Sequence, residues 1–376
     1  MRILHVMSAL NRGGAETWLL QILRHLDRRK YQIDFLVHTT EPGAFDEEVR
    51  ALGARVIPCP KTASPLQYAF TFRRVMRDFG PYDCVHSHVH HFTGYVLMLA
   101  AMMRVPLRIA QSHSDTRSLD CNSRLKRRIY LSTMEALVRQ FSSAGIAVSG
   151  QAGECLFPGT WGHDPRWRLC PLGIDFLPFA QAVDSLEVRS RLGIPKDAFV
   201  VGHVGRFIET KNHRFIVEIA ERTCRLNPNS VFLLVGDGPL KTEIEDTVRK
   251  RGLTKHFVFA GVRSDVPRIM KGAMDCFLFP SIYEGLPLVL LEAQAAGLRC
   301  VVSATVSSEG DIGEAAVTRL SLDASADQWA AHLHRRGSSH DLVLIPREWR
   351  HARSIEASGA SLEKLYEPAL CRIETR

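Results

Sequence analysis

Cys276-Phe-Leu-Phe-Pro-Ser-Ile-Tyr-Glu284-Gly-Leu-Pro-Leu-Val-Leu-Leu-Glu292-Ala-Gln-Ala-Ala-Gly297-Leu-Arg-Cys-Val-Val-Ser303 decides how the chain is read. An apolar run ends at Phe279-Pro280, and a loop carries Glu284 and Gly285. Pro287 suits a first helical residue, because its missing N–H would be unpaired there anyway. Gly297 reads as the helix's C-terminal cap, and a second apolar run follows at Cys300 to Val302. The order is strand, loop, helix, strand. Two carboxylates stand eight residues apart, one before the helix and one about a turn inside it. The free amides of the helix start, near Leu288 and Val289, favour an anion. Carboxylates on each side suit the hydroxyls of whatever carries that anion, so the expected ligand is a phosphate with a sugar attached.

Outward from this stretch, the strand–helix alternation repeats. In the first half, strand signals at Ile3 to Met7, Ile33 to Val37, Arg55 to Pro58, Asp83 to His88, Leu107 to Gln111 and Ile146 to Val148 are separated by helical periodicities. In the second half, strands at Phe199 to Val204, Val231 to Val235 and Phe257 to Ala260 lead into the opening stretch. After Ser303 the signal weakens until Ala326 to Arg336 and a terminal helix from about Ile355 to Leu370. Ala304 to Asp311 suggests no role. Such alternation implies an α/β fold of two doubly wound, Rossmann-like parallel sheets. Pro171-Leu-Gly-Ile-Asp175 reads as the link, giving domains at 1–175 and 176–354, with 355–376 as a terminal helix. Two such domains facing across a cleft would place the carboxyl ends of both sheets at its mouth.

Composition limits the alternatives. The chain has 376 residues, enough for two ordinary domains. Its nine cysteines form no C-x-x-C pair, so neither a zinc site nor a disulfide framework is suggested, and a reducing cytoplasm fits best. No signal peptide is expected, and the apolar stretch near Tyr95 to Met103 is too short to span a bilayer. The net charge of +8 is uneven: residues 1–175 hold 22 Lys+Arg against 15 Asp+Glu, a net of +7. Arg104, Arg108, Arg117, Arg124, Lys126, Arg127 and Arg128 cluster there, which points to an anionic surface. The helix from Ser123 to Ser142 joins this basic start to an apolar stripe. Anionic lipid headgroups suit that surface, and a core helix with a solvated basic face is the plain alternative.

Several loop residues could carry chemistry. Gly13-Gly14-Ala15-Glu16 follows the first strand and opens a helix, where glycines let amides approach a phosphate. A tight turn would use the same residues. Arg206 and Lys211, five apart after a strand, suit a diphosphate, with a solvated surface pair as the alternative. His86-Ser-His88-Val-His90-His91 invites a metal, since alternate residues of an extended chain share a face. Zinc's preference for wider spacing and orienting partners makes hydrogen-bonded cleft histidines the better expectation. His113, just past a strand end, is either structural or a cleft residue. Nucleic-acid modules and a dinucleotide fingerprint are absent.

With these motifs in order, the chain resembles family 4 retaining glycosyltransferases of the GT-B fold, nearest to the bacterial exopolysaccharide and capsule type. The resemblance rests on Gly13-Gly14-Ala-Glu16, Pro171-Leu-Gly-Ile-Asp175, Gly205-Arg206 with Lys211-Asn212, Gly236-Asp-Gly-Pro239 and the Glu284–Glu292 segment. It implies that Arg206, Lys211, the amides near Leu288 and Val289, and the Gly13-Gly14 loop hold the donor diphosphate. Glu292 would bind the ribose, and Glu284 the donor sugar near the reacting carbon. His113 would lie near the sugar, and residues around Val262-Arg263 would line the base. The donor would be a nucleotide-sugar, with UDP the expected nucleotide and GDP the open alternative. The acceptor, lipid-linked or saccharide, would belong to the N-terminal domain, whose basic face would meet the inner membrane surface. The terminal helix would cross back to that domain. Anomeric configuration would be retained without a metal or other cofactor. An epimerase of the same fold, or a non-catalytic nucleotide-sugar-binding scaffold, would share these motifs, although the intact charged residues argue against a scaffold.

Overall fold

The structure, a computed structural model, describes residues 1–62, 64–117, 125–313, 316–333 and 345–374. Arg124 and the end of the loop expected from Ser112 to Asn122 lie outside these residues, as does the end of the helix expected to reach Arg336. The chain forms two units, Met1–Gly173 with Ser354–Arg376, and Ile174–Arg353.

In the first unit the order is β1 (Arg2–Met7), α1 (Gly14–His25), β2 (Gln32–Val37), α2 (Asp46–Ala51), β3 (Val56–Pro58), α3 (Pro65–Phe79) and β4 (Cys84–Ser87). Then come α4 (Thr93–Met102), β5 (Leu107–Ser112), α5 (Leu125–Phe141), β6 (Ala144–Ala147), α6 (Gly150–Leu156) and β7 (Trp167–Leu169). The second unit runs α7 (Leu177–Ala180), α8 (Ser185–Arg191), β8 (Phe199–Val204), α9 (His213–Leu226), β9 (Ser230–Val235), α10 (Lys241–Lys250) and β10 (Phe257–Gly261). It continues through α11 (Val266–Ala273), β11 (Cys276–Phe279), α12 (Leu288–Ala295), β12 (Arg299–Ser303), β13 (Val317–Leu320), α13 (Ala326–Leu333) and α14 (Arg347–Ala352). The last helix, α15 (Ile355–Glu374), belongs to the first unit.

Both sheets are parallel. Their orders are β3-β2-β1-β4-β5-β6-β7 and β10-β9-β8-β11-β12-β13. Parallel strands are covered on both faces and so read as apolar runs. In β9 all six residues, Ser230 to Val235, are buried. Strand order reverses between β1 and β4 in one sheet and between β8 and β11 in the other, and open α/β sheets bind ligands beyond the strand ends at such reversals.

Differences from the sequence expectation have local causes. β4 stops at Ser87, so His88 is not in the strand, and His90–Phe92 forms a 3₁₀ turn instead of extending it. His90 therefore does not share a strand face with His86 and His88. β7 and β13 are short edge strands with few buried residues, which leaves little apolar signal. Pro287 precedes the helix as its N-cap, with α12 starting at Leu288. Gly297 follows the C-cap Ala296 at φ 80°. The bonds Gly297 N–H to Gln294 O (2.9 Å) and Leu298 N–H to Ala293 O (3.0 Å) close a Schellman motif.

Ser358 on α15 fastens this helix to its unit. Its Oγ accepts from Trp18 Nε1 (3.0 Å) and from the Gly173 amide (3.1 Å), and donates to Pro171 O (3.0 Å). Each buried polar group left unpaired costs about 1–3 kcal/mol. Ser358→Ala is therefore expected to lower stability by about 2–4 kcal/mol. At about 2–4 °C per kcal/mol for a unit of this size, the melting midpoint should fall by roughly 5–10 °C. Circular dichroism melts check this, and an unchanged midpoint refutes it.

Candidate functional site

In the second unit, the chain leaves β8 through Gly205-Arg206 and leaves β11 through Pro280 to Glu284, side by side at the sheet's reversal. The neighbouring turn after β9 presses on the first of these loops. Gly236 lies at φ 138°, and a Cβ there would meet Gly205 O at 2.1 Å, so only glycine fits. Two contacts zip the β8 and β11 loops together. Ile282 N–H donates to Thr210 O (2.8 Å), and Thr210 Oγ1 donates to the Tyr283 hydroxyl (3.3 Å). Asn212, left-handed at φ 55°, then turns the chain into α9.

This zipper delivers Lys211 to Glu284. Lys211 Nζ lies 2.5 Å from Glu284 Oε1 and 4.7 Å from the centre of the Phe279 ring. The two side chains are only 16% and 19% exposed, so the pair is largely shielded. Glu284 is braced from behind by a parallel bridge to Val306. Ser303 Oγ (2.5 Å) and Thr305 Oγ1 (3.1 Å) both donate to Ser281 O. Arg319 clamps the Val306 and Ser307 carbonyls and forks onto Asp311 at 2.7 and 2.8 Å. The segment Ala304 to Asp311, to which the sequence suggested no role, is thus the support of the Glu284 loop.

Beyond the loop, the amides of Leu288 and Val289 open α12 and donate no hydrogen bond among the described residues. Glu292 follows one turn later. Its carboxylate is partly buried and takes no hydrogen bond or ion pair among the described residues, and burial pushes it up to about 7. Arg206 is exposed and its guanidinium has no partner among the described residues. Arg263 is also exposed and forks onto Asp265, both contacts at 2.8 Å. Under the Gly205–Lys211 loop lie two imidazoles that the sequence reading passed over. Burial first, and Lys211's charge among lesser causes, hold His203 to about 4 and His213 to about 2, so both are neutral at pH 7. His213 stacks on Phe207 at 4.0 Å.

The first unit holds the remaining expected residues. Gly13 caps α1, where a Cβ would meet Glu16 Oε2 at 2.4 Å, and Gly14 is the first helical residue. His113 ends a chain of histidines. His5 Nδ1 lies 2.8 Å from His88 Nε2, and His88 Nδ1 lies 2.9 Å from His113 Nε2. Burial holds His5 to about 3, and burial then the charge of His90 hold His113 to about 4, so these rings are neutral. A neutral imidazole donates from one nitrogen and accepts at the other. The three tautomers are consequently coupled: if His5 donates, His113 carries its proton on Nδ1. His5 Nε2 and His113 Nδ1, the two ends, have no partner among the described residues. His86 joins from the side, its Nδ1 3.0 Å from the Tyr366 hydroxyl.

A cation–carboxylate pair, helix-start amides and a second unpaired carboxylate, set at the reversal of one of two parallel sheets, place the chain in the GT-B class. Comparison with known proteins agrees. A family model described as "Glycosyl transferase 4-like domain" matches residues 13–172, and one described as "Glycosyl transferases group 1" matches residues 184–336. The chain is 36% identical over 343 residues to a Bacillus subtilis (strain 168) protein described as "Putative glycosyltransferase EpsF", covering 90% of this chain and 88% of that protein. It is 27% identical over 314 residues to an Escherichia coli UDP-Gal:alpha-D-GlcNAc-diphosphoundecaprenol alpha-1,3-galactosyltransferase, covering 81% and 79%. In fold it is similar to Anabaena HepE, solved with UDP-glucose, at a TM-score of 0.80 and 20% identity over 98% of this chain and 100% of that one. The chain belongs to the group 1, family 4-like glycosyltransferases.

Proposed function

We propose that this glycosyltransferase moves a sugar from a UDP-sugar to a lipid-linked saccharide with retention of configuration, in the synthesis of a surface polysaccharide. The observation that carries this reading is the Lys211–Glu284 pair at the β8–β11 reversal, followed by two unbonded helix amides and the unpaired carboxylate of Glu292. Lys211, Arg206 and the amides of Leu288 and Val289 hold the diphosphate. Glu292 accepts hydrogen bonds from the ribose hydroxyls, Arg263 borders the base, and Glu284 positions the donor sugar. No metal takes part, because fixed cations and amides meet the leaving-group charge. The bond from the anomeric carbon to the phosphate oxygen breaks as the acceptor hydroxyl bonds to that carbon from the same face. The hydroxyl proton passes to a phosphate oxygen of the departing UDP.

The relative that acts on a diphosphoundecaprenol-linked sugar supports the lipid-linked acceptor, and α5 supplies a surface suited to reach it. At its start Leu125 is 70% exposed and Ile129 58% exposed, beside Lys126, Arg127 and Arg128. Exposed apolar side chains among cations suit the interface of an anionic membrane. No helix of the described residues is long and apolar enough to cross a membrane.

The test uses radiolabelled UDP-sugars, bacterial lipid extract and anionic vesicles. Label is expected in the lipid phase, and the protein is expected to sediment with the vesicles unless Leu125 and Ile129 are both replaced by serine. A changed sugar released as free nucleotide-sugar would mean epimerisation, and tight binding without turnover would mean a scaffold. Either result would sink the proposal.

A further inference from the structure

Three side chains of the first unit have no part in the proposed transfer. His90, His91 and Cys155 each bring one metal-ligating atom into a group whose members all lie within 4.8 Å of one another. His90 and His91 begin the 3₁₀ turn ahead of α4, and Cys155 is on α6. His90 adopts a left-handed backbone at φ 50°, uncommon outside glycine, and its ring stands edge-on to that of His91 with centroids 4.2 Å apart.

The distances suit an ion. His90 Nε2 lies 3.8 Å from Cys155 Sγ. In tetrahedral zinc, with bonds of about 2.05 Å to nitrogen and 2.3 Å to sulfur, two such ligands stand about 3.5 Å apart. A movement of a few tenths of an ångström closes that edge. A second histidine group behaves differently. His5, His86 and His88 also come within 4.8 Å, but His5 and His88 meet at 2.8 Å. That is well inside the roughly 3.3 Å edge of two metal-bound nitrogens, and is a hydrogen bond.

Hydrogen-bonding groups stand close to Cys155. The Thr116 amide donates to Cys155 Sγ (3.4 Å), and Thr116 Oγ1 lies 3.4 Å from His90 Nε2 and 3.7 Å from the sulfur. Burial pushes the Cys155 thiol up; among lesser causes the charge of Asp115 adds to this, and the guanidinium of Arg117, forked on Asp115 at 2.7 to 3.2 Å, opposes it. His90 and Thr116 are partly exposed, which leaves an ion a way in, whereas Cys155 is buried.

We propose that His90, His91 and Cys155 form a three-ligand site for a zinc-class divalent ion. Two imidazoles and a thiolate select zinc or cobalt over magnesium or calcium. On binding, the Cys155 S–H bond breaks, its proton goes to solvent and a metal–sulfur bond forms, with no change of oxidation state. The fourth tetrahedral position is left to water or to the Thr116 hydroxyl. An ion here ties together the turn before α4, the segment after β5 and α6. Thr116 follows His113 by three residues, so the same ion steadies the loop that carries His113.

The test is titration of the metal-stripped full chain with Co²⁺, followed by competition with Zn²⁺. One equivalent of cobalt should give the visible bands of a tetrahedral site and a thiolate-to-cobalt charge-transfer band in the near ultraviolet. Cys155→Ser should lose the charge-transfer band while keeping its circular dichroism. His90→Asn, which tolerates the left-handed backbone, should weaken cobalt binding by more than the 10–100-fold typical of losing an outer-shell partner. If Cys155→Ser does not fold, His90→Asn and His91→Gln carry the test. Failure of the wild type to take up cobalt, a charge-transfer band that survives in Cys155→Ser, or unchanged affinity in both histidine variants overturns the proposal.

Discussion

Lys211→Ala is expected to lower kcat by about 10²–10³-fold, the usual consequence of removing one fixed donor that meets transition-state charge. Two losses combine at this residue. The ammonium no longer meets the departing diphosphate, and Glu284 is left largely shielded without the cation now 2.5 Å away. A carboxylate in that position repels the same diphosphate. Lys211→Arg should not restore the rate, because a planar fork replaces a point charge packed over Phe279. Arg206→Ala provides the contrast. Its guanidinium has no partner among the described residues, so its loss should cost transfer but no stability. Initial rates and melting curves on both variants check this. Near-normal transfer by Lys211→Ala would remove the diphosphate from this loop.

Glu292→Gln is expected to have opposite effects on stability and on nucleotide affinity. Burial raises the Glu292 carboxyl from the ordinary 4.5 to about 7 in the folded protein. Between these values the folded chain holds a proton that the unfolded chain has lost, so stability falls as pH rises through that window and stays reduced above it. Glutamine cannot ionise and escapes this penalty. The variant should therefore melt higher than the wild type at pH 8 and at the same temperature at pH 4. Ribose hydroxyls donate to the ionised carboxylate, so UDP affinity of the wild type should increase as pH rises through about 7. The variant should bind UDP more weakly, with that increase gone. Calorimetric titration and melting across pH read both effects. A wild-type affinity flat from pH 5.5 to 8.5 would remove Glu292 from the ribose.

What could be read from the sequence follows from how each signal is written. Continuous apolar runs such as Val231 to Val235 mark buried parallel strands, and glycine and proline mark their ends. Edge strands such as Trp167–Leu169 carry no such run and are legible only as structure. The residues proposed for the donor site stand out because charged side chains at strand ends are chemically unusual. Their supports do not. Ser281, Ser303 and Thr305 are ordinary hydroxyl residues, and Arg319 lies 35 residues from Glu284 along the chain. Only the folded sheet brings them together. The histidines show the same limit. Strand periodicity put His86, His88 and His90 on one face, but the chain turns at Ser87. The hydrogen-bonded chain, His5 to His88 to His113, joins a residue inside β1 to residues just past the ends of β4 and β5.

The tether at Ser358 bears on the order in which the protein is made. The first unit is discontinuous: residues 174–353 are threaded between Gly173 and Ser354, and Ile174 N–H donates to Arg353 O at 2.8 Å. The second unit thus begins and ends at neighbouring points, as a cassette does, and all of it leaves the ribosome before α15. The first unit must wait with Trp18 and the Gly173 amide unsatisfied until the final helix emerges. Chains released before α15 would carry a complete second unit beside an unfinished first one, so α15 acts as a check on the first unit.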